Sequence, residues 1–190
     1  LSPDFLAIHL SGGTTELTSV TRKEETHQLT VDLLGGTLDL HAGQYVDRLG
    51  VMLGLPFPAG PSLEKLAERT EESVQIPTFH RDGMVSFSGP LTALEKIVGE
   101  VPVEVCARSC FTSIARTLVK WIRWVEKEQA SREVLVVGGV ASNQILRQAL
   151  RQALPNFKLY FAAPAYSVDN AYGAAFFSAL SSGFLSNWTR

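Results

Sequence analysis

Ser131–Leu154 reads SREVLVVGGVASNQILRQALRQAL. Val134-Leu135-Val136-Val137 is apolar at every position, the pattern of a strand buried between two layers rather than of a half-exposed edge. Gly138-Gly139 follow at once, and Ser142 or Asn143 stands where a helix cap belongs. In the helix beyond, Leu146, Ala149, Leu150, Ala153 and Leu154 share one face, and Arg147, Gln148, Arg151 and Gln152 share the other. A buried strand, a glycine pair and a capped helix let backbone approach a ligand closely, and the helix N-terminus favours negative charge. A plain tight βα turn leaves the same local signature.

Upstream, Phe5–Leu10 is apolar and passes through Ser11-Gly12-Gly13-Thr14-Thr15 into the β-branched run to Thr21, which predicts a hairpin. Glu25–Leu34 predicts a third antiparallel strand. Leu38–Leu53 changes to helical period, with Leu40, Tyr45, Leu49, Met52 and Leu53 on one stripe. Pro56, Pro58, Gly60 and Pro61 punctuate the chain before a short helix over Ser62–Arg69. Thr70 to about Gly99 is irregular and contains Asp82-Gly83, and it is read as an insertion with a short helix at Leu91–Ile97. Val103–Glu128 predicts a long amphipathic helix, Lys158–Phe161 a fifth strand, and Asp169–Leu180 a closing helix rich in small residues. The order β-β-β-α, insertion, α-β-α-β-α builds an α/β lobe with a mixed sheet of about five strands flanked by helices. That is the ribonuclease-H-like order of the actin-like ATPase superfamily.

With 190 residues, 45% of them hydrophobic and 19% charged, the chain can bury a full core. The net charge of −2 supplies no basic field from which to argue nucleic-acid binding. No apolar stretch is long enough to cross a bilayer, so no membrane partner is expected. Cys106 and Cys110, the two cysteines, read as reduced core thiols, which fits a cytoplasmic setting.

Several residue sets carry candidate chemistry. Ser11–Thr15 fits either an anion-wrapping loop or an ordinary hairpin turn. Asp39, Asp47 and Asp169 sit near element ends, and Asp169 reads as a helix cap or as a metal or magnesium-nucleotide ligand. The histidines, His9, His27, His41 and His80, show no zinc-hydrolase spacing, and no catalytic triad can be assembled. No catalytic residue is therefore assigned. Arg116, Lys120, Arg123 and Lys127 form a basic helical stripe, read as a solvated face, with a phosphate-backbone contact as the alternative. Trp121 and Trp124 cannot both point inward.

These segments together resemble one family. Leu10–Leu17 is similar to V-S-G-G-H-T-E-L, Asp39–Arg48 to D-D-A-A-G-E-A-F-D-K, and Leu53–Pro61 to L-G-L-P-Y-P-G-G-P. Ser86–Gly89 is similar to F-S-F-S-G, Val137–Arg147 to G-G-V-A-A-N-x-x-L-R, and Val168–Ala171 to C-T-D-N-A-A. Order and spacing hold over nearly the whole chain. The chain is identified as a member of the TsaD-type tRNA N6-adenosine threonylcarbamoyltransferase family, also called the glycoprotease or peptidase M22 family.

The resemblance implies transfer of a threonylcarbamoyl group from its adenylate to N6 of a tRNA adenosine, with one divalent metal, iron or zinc. It implies ATP or threonylcarbamoyl-adenylate as ligand, held by His9, Leu10, Ser11, Gly12, Gly13, Asp47, Gly60 and Asn143, with Asp169 as a metal ligand. It implies tRNA and a TsaB-like paralogue subunit as partners, in a homo- or heterodimer. The matching segments are those of the family's second lobe, so residues 1–190 are expected to be one C-terminal lobe with a helical insertion at about 55–101. The first lobe, with its H-x-x-x-H metal ligands, is then absent and the piece alone is expected to be inactive. Thr14, Leu40, Gln44, Ala59 and Leu91 replace the family's His, Asp, Glu, Gly and Lys. They keep open a second reading, a non-catalytic nucleotide-binding or scaffold paralogue with a TsaB-like role. A metalloendopeptidase rests on the older family name alone.

Overall fold

The computed structural model describes residues 1–23, 28–127, 129, 131–163 and 178. The chain opens with a meander of three antiparallel strands, β1 (Asp4–Leu10), β2 (Thr15–Arg22) and β3 (Leu29–Thr37). Two more strands, β6 (Glu133–Val137) and β7 (Lys158–Phe161), extend the sheet on the far side of β1, each parallel to its neighbour. A third pair, β4 (Phe79–Arg81) and β5 (Met84–Ser86), forms a hairpin that joins β3 through Gly36 and Thr37. Among the described residues the sheet therefore has seven strands in the order β4-β5-β3-β2-β1-β6-β7. The expected five are present, and the correction is the β4–β5 hairpin inside the stretch read as helical. Asp82 and Gly83 both take positive φ, 49° and 78°, the backbone of a two-residue hairpin turn.

Among the described residues five α-helices cover the sheet: α1 (Ala42–Met52), α2 (Gly60–Ala67), α3 (Ser88–Glu95), α4 (Val103–Val125) and α5 (Gln144–Ala153). Leu6, Ile8 and Leu10 on β1 and Val134 and Val136 on β6 alternate into one core with Ile114, Leu118 and Trp121 of α4 and Leu146 and Leu150 of α5. That alternation is the pleat of a strand with one buried face. Leu135 and Val137 are half-buried, so β6 is less fully enclosed than its unbroken apolar run predicts. Trp121 is fully buried and its indole N–H donates to Gly83 O at 2.9 Å, which anchors the hairpin turn to α4. Trp124 is half-buried beside the His80 ring.

The basic stripe of α4 is only partly a solvated face. Arg116 donates to Ile76 O, Lys120 to Thr78, and Arg123 to Ala153 O, while two turns earlier Arg108 pairs with Glu71. Ser109 Oγ accepts Val74 N–H at 2.8 Å. All but the Arg123 bond, which ties α4 to α5, lash the extended 70–78 segment along α4, and together they occupy much of the stripe that phosphate binding needs. On β3 the first five residues are exposed on both faces. Cys106 and Cys110 are buried free thiols, and burial pushes both pKa values up, which suits core residues rather than nucleophiles. Glu25 to His27, Asp169 and most of the predicted 169–180 helix lie outside the described residues.

Candidate nucleotide site

β1 and β6 are parallel and in register, with His9 opposite Val137. Their C-terminal ends therefore leave the sheet on the same edge, and the two glycine turns emerge side by side. Ligands of open α/β sheets bind at that edge, where neighbouring connections diverge. Gly12 and Gly139 line one hollow of about 440 Å³ there.

The local chemistry of each wall is readable. Ser11 Oγ accepts the N–H groups of Gly13 (3.3 Å) and Thr14 (3.0 Å), and Ser11 N–H donates to Thr14 O, so the hairpin is self-braced. Gly12 N–H has no hydrogen bond to the described residues. The start of α1 is docked on this hairpin: Gly43 N–H donates to Ser11 O and Ala42 N–H to Thr15 Oγ1. A side chain at Gly43 meets Gly12 N at 2.6 Å, so only glycine permits that approach. Gly138 sits at φ 99°, and a Cβ there falls 2.2 Å from Leu10 O. Beyond it a 3-10 turn (Val140–Ser142) leads to Asn143, whose Oδ1 accepts Leu146 N–H at 2.8 Å and caps α5. Of the two predicted caps it is Asn143 that serves.

Asn143 is also the most telling side chain of the hollow. It is only 4% exposed, and its Nδ2 is buried without a hydrogen-bond partner. Buried donors in native proteins are nearly always paired, so an orphan on a residue that lines a cavity fits a group that a ligand satisfies. Across from it, Asp47 Oδ1 accepts Ala59 N–H at 2.8 Å, which brings Gly60 and Pro61 at the start of α2 to the rim. Glu64 of α2 accepts Gln144 N–H at 2.7 Å and tethers α2 to α5. Each carboxylate keeps a second oxygen for a ligand. Val46, Phe111 and Val140 supply apolar wall, and neither Lys nor Arg lines the hollow among the described residues. Apolar wall, two carboxylates and a glycine amide suit a purine, vicinal ribose hydroxyls and a phosphate respectively.

Of the residues marked from the sequence, Ser11, Gly12, Asp47, Gly60 and Asn143 converge here, whereas His9, Leu10 and Gly13 do not line the hollow. Leu10 is core, His9 is exposed at the end of β1, and Gly13 is at the exposed hairpin tip. Glu64 escaped the sequence analysis because nothing local distinguishes it from any surface helical glutamate. Asp39 lies to one side and serves as a tie. Its carboxylate accepts from the N–H groups of Leu40, Phe87 and Ser88 and from the hydroxyls of Ser86 and Ser88. Partial desolvation raises its pKa, and the combined hydrogen bonds outweigh that and hold it at about 2.

Sheet order and helix packing together define an α/β unit with the actin-like ATPase fold. The structure superimposes on HypF of T. kodakarensis with TM-score 0.74 at 12% identity, covering 97% of this chain and 34% of that one. It superimposes on the activator of the 2-hydroxyisocaproyl-CoA dehydratase from Clostridium difficile, solved with bound ADPNP, with TM-score 0.63 at 15% identity over 100% of this chain and 65% of that one. Residues 2–176 match the family described as TsaD, tRNA N6-adenosine threonylcarbamoyltransferase, and the chain belongs to that family. A tRNA N6-adenosine threonylcarbamoyltransferase of Thermus thermophilus is 34% identical over 174 residues, covering 90% of this chain and 52% of that protein. The chain thus spans about half the length of the curated relatives it matches.

Proposed function

We propose that these residues are the C-terminal lobe of a transferase that moves a threonylcarbamoyl group from its adenylate to N6 of an adenosine in tRNA. In that reaction N6 attacks the carbamoyl carbon, the carbon–oxygen bond to the phosphate breaks, AMP leaves, and N6 gives up one proton. The convergence of Gly12, Asp47, Gly60 and the orphan amide of Asn143 in one hollow supports the reading. Asp47 and Glu64 hold the ribose hydroxyls, Val46 and Phe111 flank the base, and Gly12 N–H meets the phosphate. The ADPNP of the dehydratase activator is consistent with an ATP-type ligand in this fold.

The family's metal is a separate expectation. Asp169 lies outside the described residues, and among the described residues no three His, Cys, Asp or Glu side chains converge to hold an ion. These residues do not furnish a metal site, and no step is routed through one. The other half of the protein has to complete the cleft, so the 190 residues alone bind nucleotide and transfer nothing. A TsaB-like subunit is the proposed partner and the cytoplasm the proposed compartment; no helix among the described residues is long and apolar enough to cross a membrane.

A second reading, binding without transfer, draws on one observation. Leu40, Ala59 and Leu91, which stand where the family carries Asp, Gly and Lys, are buried and packed. The substitutions are thus packed in place, Leu40 in the core, Ala59 against Asp47 and Leu91 at the floor of a neighbouring hollow. Incorporation of labelled threonine into a tRNA transcript by the full-length protein decides between the two. Transfer by the full-length protein and none by the 190 residues is the expected result. Nucleotide binding with no transfer by the full-length protein establishes the second reading, and transfer by the 190 residues alone overturns the lobe assignment.

A further inference from the structure

We propose that a second hollow, beside the nucleotide site, receives the acceptor purine of the RNA; this rests on the transferase reading above. The hollow, about 640 Å³, lies between α1 and α3 and shares Gly12 and Asp47 with the first. A transferase with two substrates needs two sites that meet at the reacting group, and the shared wall is the end of the first hollow where the hairpin amide awaits a phosphate.

Its lining matches an unstacked base. Phe57 is 75% exposed, the most exposed large hydrophobic side chain among the described residues, and Val51 (55%) and Met52 (39%) stand beside it. Three such side chains gathered in one hollow leave apolar surface that a monomeric protein usually buries. Single-stranded RNA is recognised mainly by stacking splayed bases on aromatic side chains and by hydrogen bonds to their edges. Leu91 gives an apolar floor, and Arg48 and Glu95 stand on facing elements, neither in an ion pair with the described residues. Their charges sum to zero, and together they offer a donor and an acceptor. Adenine presents the complement, an exocyclic amino donor and ring-nitrogen acceptors. The volume falls within the range of small-ligand sites.

The test uses the full-length protein and an anticodon stem-loop RNA carrying 2-aminopurine at the acceptor position. Binding is expected to quench the probe's fluorescence. Phe57→Ala is expected to weaken stem-loop affinity roughly 5- to 150-fold, the range for one lost base–aromatic stack. The quench should vanish with it, while ATP affinity stays within about twofold. Phe57→Trp should restore both quench and affinity. Phe57 is exposed, so the substitutions leave the core intact. If the parent protein transfers to tRNA yet Phe57→Ala binds the stem-loop as the parent does, the acceptor assignment is wrong and the transferase reading survives. If the parent binds no stem-loop, both are overturned. Protection of Phe57 from solvent labelling in the RNA-free full-length protein shows that the missing half covers the hollow, and the assignment is then overturned as well.

Discussion

Asn143 has two jobs on two different atoms, and two substitutions separate them. Its Oδ1 caps α5, and its Nδ2 is buried without a hydrogen-bond partner on a residue that lines the hollow. Asn143→Ala removes both. Loss of an N-cap costs about 0.5–2 kcal/mol, and the upper half of that range applies because the Leu146 N–H it leaves is buried. Asn143→Asp keeps an acceptor in the capping position. Its negative charge gains about 0.3–1 kcal/mol from the helix terminus. Desolvation of a side chain only 4% exposed offsets that gain, which leaves stability within about 1 kcal/mol of the parent. Binding should order the other way. The aspartate replaces a donor with a charge that repels a phosphate ester, so ATP affinity should fall at least about tenfold, roughly 1.4 kcal/mol, and further than for the alanine variant. Urea unfolding and calorimetric ATP titration measure the two quantities. An aspartate variant that binds ATP as well as the parent refutes the assignment of Nδ2 to the ligand. An alanine variant of undiminished stability refutes the cap.

Two further perturbations probe the scaffold. Asp39 has a folded pKa of about 2 against an ordinary 3.8, so its contribution is present above about pH 4 and is lost as pH falls toward 2. Because the carboxylate is largely exposed, solvent screening reduces that contribution to about 1 kcal/mol; Asp39→Asn should flatten acid unfolding across this window, and an unchanged acid transition disproves the tie. Gly138→Ala should destabilise by more than about 2 kcal/mol in denaturant unfolding, since φ is 99° and the new Cβ meets Leu10 O at 2.2 Å, whereas Gly139→Ala, with open space around it, should stay within about 0.5 kcal/mol. Equal stability of the two variants contradicts the close approach of the two turns.

How much was legible in the sequence depends on how local the determining physics is. The run Val134–Asn143 announced itself because strand burial, a glycine at positive φ and a side-chain cap all operate within a few residues. The β1–β2 hairpin was legible for the same reason. The β4–β5 hairpin was not. Its strands are three residues each, too short for alternation to register, and Asp82-Gly83 read as loop punctuation although two positive φ values make it a turn. Arg147, placed by helical periodicity on the solvent face, in fact donates to Ala141 O and Ala162 O and lies over the Phe161 ring. Periodicity registers only the average side of a helix, whereas a long guanidinium reaches back across the rim to carbonyls of the 3-10 turn and of the residue just past β7. Arg116 and Lys120 follow the same logic, since the extended 70–78 segment that they hold has no pattern of its own.

Both hollows depend on one helix. Over its eleven residues α1 turns Val46 and Asp47 toward the first hollow and Arg48, Val51 and Met52 toward the second. It can stand between them only because two glycines remove side chains where its neighbours come closest. At Gly43 a Cβ meets the Gly12 backbone at 2.6 Å, and at Gly50 a Cβ meets that of Ala59 at 2.1 Å. One contact fixes the helix to the hairpin expected to hold a phosphate, the other to the loop that carries Gly60 and the base of α2. A shift of α1 therefore moves Asp47 and Arg48 together, relative to Gly12 on one side and Phe57 on the other. The proposed donor and acceptor positions are thereby coupled through a rigid element rather than through a flexible loop, the arrangement that holds two reactants in a fixed mutual orientation.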